Sequence, residues 1–271
     1  GRDLALQPTP VKQAALELGI PIDQPTKARD PEFIEHLRTL APDLMVVAAY
    51  GQLLPQTLLD IPRHGCLNVH TSLLPAYRGA APIQWALADG LNETGVTLMR
   101  MEAGLDTGPI VTTATTPILD EDTGQSLHDR LADLGGELLV RSLPDYLAGY
   151  LQPRPQPLDG VSLARKITKE DGRLVWERPA VELWRRLRAF TPWPGAFCHA
   201  EGGGKTRLVK VHAASLSEGS GRPGERLDYG KGRLVVACGR GALELLTLQP
   251  EGGRRMDAAA FLAGHPLERF T

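Results

Sequence analysis

Leu44-Met-Val-Val-Ala-Ala49 is a continuous apolar run stopped by Tyr50-Gly51, the pattern of a short strand buried on both faces of a sheet. Strand-like and helix-like segments alternate outward from it. Upstream, residues 10–18 and 31–40 read as helices with proline at their starts, and Asp30 stands where the second needs a cap. Downstream, Cys66-Leu-Asn-Val-His70 is a second strand, residues 81–88 a helix, and residues 95–101 and 109–118 two further strands. Residues 126–150 read as a long amphipathic helix, kinked or broken near Pro144, because proline removes a backbone donor and crowds the preceding turn. Strands alternating with helices predict an α/β fold with an open, mostly parallel sheet.

The texture changes at Gln152-Pro-Arg-Pro-Gln-Pro157, where alternating prolines favour an extended, semi-rigid linker. Beyond it, a helix over residues 180–190 precedes short strand-like runs at 206–213, 233–238 and 242–248, with a short closing helix at 256–262. Glycine-rich turns such as Gly202-Gly-Gly204 and Gly230-Lys-Gly232 separate the strands, which together predict a small β-barrel. The expected division is a first domain over residues 1–150, a linker over 151–167 and a second domain over 168–271.

A chain of 271 residues has room for two such domains and can bury cores without covalent staples. Its 42% hydrophobic and 23% charged residues exclude a disordered or fibrous protein. The three cysteines, Cys66, Cys198 and Cys238, are far apart and form no CxxC, which argues against a disulfide framework and against a structural zinc site. No apolar run approaches the roughly 18 residues of a membrane span, and no leader pattern opens the sequence, so the expected setting is a reducing cytoplasm. Charge is uneven. Residues 1–167 carry 13 Lys and Arg against 20 Asp and Glu, while residues 168–271 carry 17 against 12. A basic second half suits a polyanionic partner as well as it suits a merely solvated surface.

Two clusters carry the chemistry. In Asn68-Val-His-Thr-Ser-Leu-Leu-Pro-Ala-Tyr-Arg-Gly79, Asn68 and His70 are two apart on a strand and share a face. They fall at the strand's C-terminal end, where open α/β sheets bind ligands. Histidine suits proton transfer near neutral pH, and an asparagine amide can donate to a developing oxyanion. The following Ser72-Leu-Leu-Pro75 offers backbone donors and apolar side chains to a flat heterocycle. The second cluster is Met101-Glu-Ala-Gly-Leu-Asp-Thr-Gly108, in which Asp106 is placed to orient a histidine or take a proton. Taken alone, His70 reads sooner as a satisfied strand-end histidine, and Asp106 sooner as a residue bracing its own turn. His64 reads as structural. Tyr77 and Arg78 are placed either to wall a pocket or to pack and pair. Arg185, Arg186 and Arg188 read as a solvated helix face or a phosphate contact, and Trp193 as a residue packed between the domains or a stacking platform. Lys205 and Arg207 share one strand face, with Lys210 on the other.

With both clusters present, the sequence resembles the formyltetrahydrofolate-dependent formyltransferases. The matching text includes Val46-Val-Ala-Ala-Tyr-Gly51, Gly65-Cys-Leu-Asn-Val-His70, Ser72-Leu-Leu-Pro75, Tyr77-Arg-Gly-Ala-Ala-Pro-Ile-Gln84, Glu93-Thr-Gly-Val-Thr97, Gly104-Leu-Asp-Thr-Gly108, Ala189-Phe-Thr-Pro-Trp-Pro194 and Leu246-Thr-Leu-Gln-Pro250. The resemblance is strongest to the branch whose acceptor is initiator methionyl-tRNA. It implies a Rossmann-like sheet and a C-terminal OB-like β-barrel domain that helps hold tRNA. It further implies 10-formyltetrahydrofolate as co-substrate, Asn68, His70 and Asp106 as the catalytic trio, and no metal. Ser72, Leu73, Leu74 and Pro75 are the implied folate contacts, with Glu102, Ala103, Gly104 and Leu105 lining the pteridine pocket. Arg2 falls on a basic loop that reaches toward tRNA in the family, but here it is followed by Asp3-Leu4-Ala5. The start of the sequence aligns past the family's first strand-helix-strand unit, roughly forty residues in, against a usual unit of about 30. A monomer is expected. The other acceptors that fit are glycinamide ribonucleotide, an amino-sugar nucleotide, or water in a folate hydrolase. A decayed RNA-binding module is the non-enzymatic alternative.

Overall fold

The computed structural model describes residues 8–271, and Arg2 lies outside them. Helices α1 (Pro10–Glu17) and α2 (Pro31–Leu40) both begin on proline, and the Asp30 side chain accepts the Glu32 amide at 3.1 Å to cap α2. Strand β1 (Met45–Val47) and short helix α3 (Gln56–Leu59) lead into β2 (Cys66–His70). Strand β3 (Arg78–Gly79), helix α4 (Pro82–Asp89), β4 (Glu93–Arg100), β5 (Ile110–Pro117) and α5 (Gly124–Leu147) follow. Helix α5 lies on β2, β4 and β5 and sends Leu127, Leu131 and Leu138 into their core.

The first sheet has the order β1-β2-β4-β5, and it is mixed rather than mostly parallel. Only β1 and β2 run parallel; β2 with β4 and β4 with β5 are antiparallel. The hairpin has a local cause. Residues 101–109 join β4 to β5 without a helix, too short for the crossover that parallel neighbours need. The β2–β4 connection has a helix, but α4 packs on α5 and on a later helix instead of running back along the sheet. The apolar run at β1 is not doubly buried either. β1 is an edge of the described sheet, and Val46 is 44% exposed. Helix α5 continues unbroken through Pro144, whose missing bond falls in the last turn, on a side where Val140 faces solvent.

Residues 152–157 are extended, as the prolines require, a turn follows at 158–160, and the segment is stitched to the first sheet's loops. Arg154 and Ile110 exchange two backbone bonds of 2.8 Å, and strand β6 (Leu163–Ala164) pairs in parallel with β3. A 3-10 turn (Lys169–Gly172) and helix α6 (Ala180–Ala189) come next. The second sheet then forms from β7 (Ala196–Gly202), β8 (Lys205–Ser217), β9 (Arg226–Leu227), β10 (Val235–Ala237), β11 (Ala242–Pro250), β12 (Met256–Asp257) and β13 (Arg269–Phe270). Helix α7 (Ala258–Gly264) sits between the last two, so residues 256–257 are strand where the sequence suggested helix. The path β13-β7-β8-β11-β10-β9 is not closed into a barrel by strand pairing; one bridge, Glu225 to Arg269, joins its two ends.

Helix α6 serves two cores. Leu183 and Leu187 enter the core of the second sheet, while Ala189 and the adjoining Phe190 enter the core under α5. Two of its three arginines, Arg186 and Arg188, are engaged within the protein rather than solvated, while Arg185 is half-buried. Arg188 is buried and donates to the carbonyls of Asp122 (2.8 Å) and Leu119 (2.5 Å). Arg186 lies 5.0 Å over the Phe190 ring and donates to the Asp171 carbonyl at 3.0 Å. Phe190, edge-on to Trp85 at 5.8 Å, fills the junction assigned in sequence to Trp193, which is 55% exposed.

Candidate active site

Strand β2 is flanked by β1 and β4, with Val47 opposite Asn68, Met99 opposite Asn68 and Thr97 opposite His70. Because β1 is parallel to β2, the chain leaving it emerges at the same end as His70. There Tyr50 and Leu53 are exposed. Such wet apolar surface at the C-terminal end of parallel strands fits a flat ring system. After β2 the chain is held down by Thr97, wholly buried, whose hydroxyl donates to the Ser72 carbonyl (2.7 Å) and accepts the Leu74 amide (3.1 Å). The Ser72 hydroxyl donates to the Ala76 carbonyl at 2.6 Å. Ser72 and Leu74 are therefore buried in the loop's own fabric, and Leu73 and Pro75 are the two of this quartet left half-buried.

The 101–109 loop folds over this end and delivers Asp106. Gly108 permits that path, since a Cβ there would sit 1.8 Å from the Arg100 carbonyl oxygen. Asp106 itself has φ of 52°, a left-handed conformation that a non-glycine residue adopts only at a cost. Its carboxylate is the meeting point of the site. Oδ2 accepts the Gly79 amide at 2.8 Å and lies 3.8 Å from His70 Nδ1; Oδ1 accepts from Asn68 Nδ2 at 3.4 Å. Gly79, at φ of 120°, also has no room for a side chain, because its Cβ would lie 2.6 Å from the Ala164 carbonyl. Residues 102–105 are exposed, with Leu105 turned outward.

His70 is buried, and its Nε2 is 3.0 Å from the carbonyl oxygen of Tyr77. A carbonyl only accepts, so Nε2 carries the proton and Nδ1 is the nitrogen facing Asp106. Tyr77 is itself left-handed, with φ of 58°, and its phenol donates to Asp89 at 3.0 Å. Burial, then that bond and the charge of Asp89, push the phenol up to about 12, so it stays neutral and structural at pH 7. Burial likewise raises the Cys66 thiol to about 11, which removes it as a nucleophile. Among the described residues, no group of three His, Cys, Asp or Glu is placed to hold a metal.

One participant escaped sequence reasoning. Gln156, read as part of a linker, donates from Nε2 to the carbonyls of Asp106 and Gly108, both at 2.8 Å, and accepts from Arg78 at 3.0 and 2.6 Å. Nothing in the alternating prolines signals this, because the contact exists only once residues 151–157 cross the loop. A separate polar cavity of about 560 Å³ touches the same loop at Met101 and Glu102. Arg63, His64, Arg100 and Tyr146 line it, and none of Asn68, His70 or Asp106 does. The His64 main-chain carbonyl accepts from the Tyr146 phenol at 2.7 Å.

Comparison with known proteins places the chain in a family. Residues 1–143 match the formyl transferase family and residues 166–266 the formyl transferase C-terminal domain. The methionyl-tRNA formyltransferase of Myxococcus xanthus is 56% identical over 267 residues, 98% of this chain and 84% of that protein. That of Trichlorobacter lovleyi is 48% identical over 271 residues, 100% of this chain and 84% of that protein. Among solved structures, HypX from Aquifex aeolicus in complex with tetrahydrofolic acid shares the fold at a TM-score of 0.61 and 22% identity, over 86% of this chain and 40% of that one. A sugar N-formyltransferase from Shewanella does so at 0.58 and 20%, over 71% and 77%. The chain belongs to the formyl transferase family.

Proposed function

We propose that this protein transfers the formyl group of 10-formyltetrahydrofolate to the α-amine of methionyl-tRNA, for translation initiation. The observation that carries the reading is the convergence of Asn68, His70 and Gly79 on the Asp106 carboxylate, in a chain whose relatives of about half identity are named for this activity. In the transfer, a bond forms between the acceptor nitrogen and the formyl carbon, and the bond from that carbon to N10 breaks. The proton lost by the amine arrives at N10. His70 moves that proton: Nε2 is tethered to the Tyr77 carbonyl, which leaves Nδ1 as the working nitrogen. Asn68 Nδ2 has two N–H groups. One meets Asp106, and the other is available to the oxygen that gains charge as the carbon becomes tetrahedral, a contribution of about 3–4 kcal/mol for donors of this kind. Asp106 holds Asn68 and balances the charge that His70 acquires.

The donor's ring system lies against Glu102, Ala103, Gly104 and Leu105, with Ser72, Leu73, Leu74 and Pro75 as the facing segment. Residues 168–271 form the OB-like, tRNA-binding domain, residues 151–167 the connection, and the protein works as a monomer in the cytoplasm. The basic balance of that second half supports the assignment. A formylation assay with 10-formyltetrahydrofolate and methionyl-tRNA tests the proposal, and formylmethionyl-tRNA is the expected product. Formate released with no acceptor modified would instead make the protein a folate hydrolase. Formylation of an amino-sugar nucleotide but not of the tRNA would assign it to another acceptor.

A further inference from the structure

We infer that Gln156 is a positioning residue, and that its one side-chain amide sets the spacing between the loop bearing Asp106 and the loop that fixes His70. The inference rests on the reaction proposed above for the roles of Asp106 and His70, but its geometry is independent of the acceptor. The amide orientation is determined by its neighbours. Nε2 faces two carbonyls, of Asp106 and Gly108, and Oε1 faces the Arg78 guanidinium, so the reverse orientation would set oxygen against oxygen and N–H against N–H. Arg78 stands between Tyr77, whose carbonyl takes His70 Nε2, and Gly79, whose amide takes Asp106 Oδ2. Gln156 thus closes a ring of hydrogen bonds through both loops. Among the described residues it is the side chain that holds the main chain of Asp106 from outside its own loop.

The ring is anchored on its far side. The Tyr77 amide donates to the Ser162 hydroxyl (2.9 Å), the Arg78 amide to the Ser162 carbonyl (2.9 Å) and the Ala80 amide to the Ala164 carbonyl (2.8 Å). Residues 154–164 therefore form a strap across both loops, and Gln156 is the point at which the strap grips the acid. The 3.8 Å gap between Asp106 and His70 is wider than a hydrogen bond, so productive geometry depends on where the loop is held rather than on that pair's own attraction.

The test is Gln156→Glu, which preserves shape and the acceptor for Arg78 but replaces both donations with a carboxylate facing two carbonyls. Gln156→Leu is its apolar counterpart. In the full chain, kcat for formyl transfer should fall by about 10²-fold in both, with KM for donor and for tRNA within about threefold and the thermal midpoint lowered by only a few degrees, the freed carbonyls being part-buried. Arg78→Ala combined with Gln156→Leu should be no worse than Gln156→Leu alone, because Arg78 acts through the same amide. The second readout needs no substrate. Gly79's amide is protected by the Asp106 carboxylate, so its hydrogen exchange should rise on the order of tenfold in either variant. Unchanged kcat and unchanged Gly79 exchange would overturn the inference, as would a kcat loss that vanishes when the variants are assayed well below their melting transition. Failure of the unmodified protein to formylate methionyl-tRNA would sink the functional proposal and leave the exchange experiment to judge Gln156.

Discussion

The two sheets spend their sequence differently. Among the described residues, every buried polar or charged side chain, from His70 to Arg188, lies at or before the end of α6. The four described non-glycine residues with left-handed φ are there as well: Ala41, Ala49, Tyr77 and Asp106. After α6, left-handed positions are taken by glycine, and the core is made of residues such as Phe261, Phe270, Leu243 and Leu248. In the first half, Tyr77 and Asp106 put left-handed backbone, and His70, Ser72 and Thr97 buried polar groups, at the candidate site, while Asp122, Asp171 and Arg188 put others at the junction with the second sheet. Left-handed non-glycine backbone and buried polarity thus mark the half that holds the candidate site.

Truncation in the second sheet tests the supporting side hardest. Phe261 is fully buried, and Phe261→Ala should cost about 3–5 kcal/mol of stability, read from denaturant midpoints. If the division is right, kcat of the remaining folded protein at saturating substrate stays within a factor of two or so. Asn68→Ala should do the reverse, lowering kcat by about 10²–10³ and leaving the melting curve close to that of the unmodified chain. A near-normal kcat in that variant would remove Asn68 from the chemistry.

The junction should sit between these extremes. Arg188→Ala leaves the carbonyls of Asp122 and Leu119 without their charged donor, at about 1.5–3 kcal/mol, measurable by urea titration. A loss below a few tenths would mean that α6 does not bind the two cores together. The smallest effect is a pH dependence. Asp171 is almost buried, and its hydrogen bonds from Arg165 and Thr168 hold its carboxyl well below the usual carboxylate range, outweighing the burial that opposes ionisation. A folded-state value below the unfolded one stabilises above the unfolded pKa, near 3.9, and the gain is lost as pH falls through the folded value. Asp171→Asn should therefore be less stable than the unmodified protein at pH 7, and the gap should narrow only below about pH 4. A gap that closed between pH 5 and 7 would place its cause elsewhere.

Much of the site was legible along the chain. Asn68 and His70 had to share a face because strand side chains alternate, and glycines around Asp106 announced a tight loop. The helices at residues 10–18, 31–40 and 180–190 were readable from proline starts, a capping aspartate and apolar spacing, and the structure has them within two residues. Even the β4–β5 hairpin was written in a connection too short to cross over, although helix and strand alternation argued for parallel pairing. Strand β7 was harder to see. Ala196, Cys198 and Ala200 are small residues, and their inward alternation shows only when β8 lies beside them.

What the amino-acid order determines by itself is local: periodicity, caps, turns, and which side chains share a strand face, all set by backbone sterics and by neighbours a few residues apart. Tertiary structure alone decided the antiparallel return of β4, the removal of Arg186 and Arg188 from the surface, the exposure of Trp193 and the grip of Gln156 on Asp106. Each of these depends on partners many residues away, whose approach no local pattern encodes. A guanidinium or an amide reads the same in sequence whether it ends in water or between two carbonyls. Folding distinguishes the cases, because a buried polar group must find its partner or forfeit its hydration.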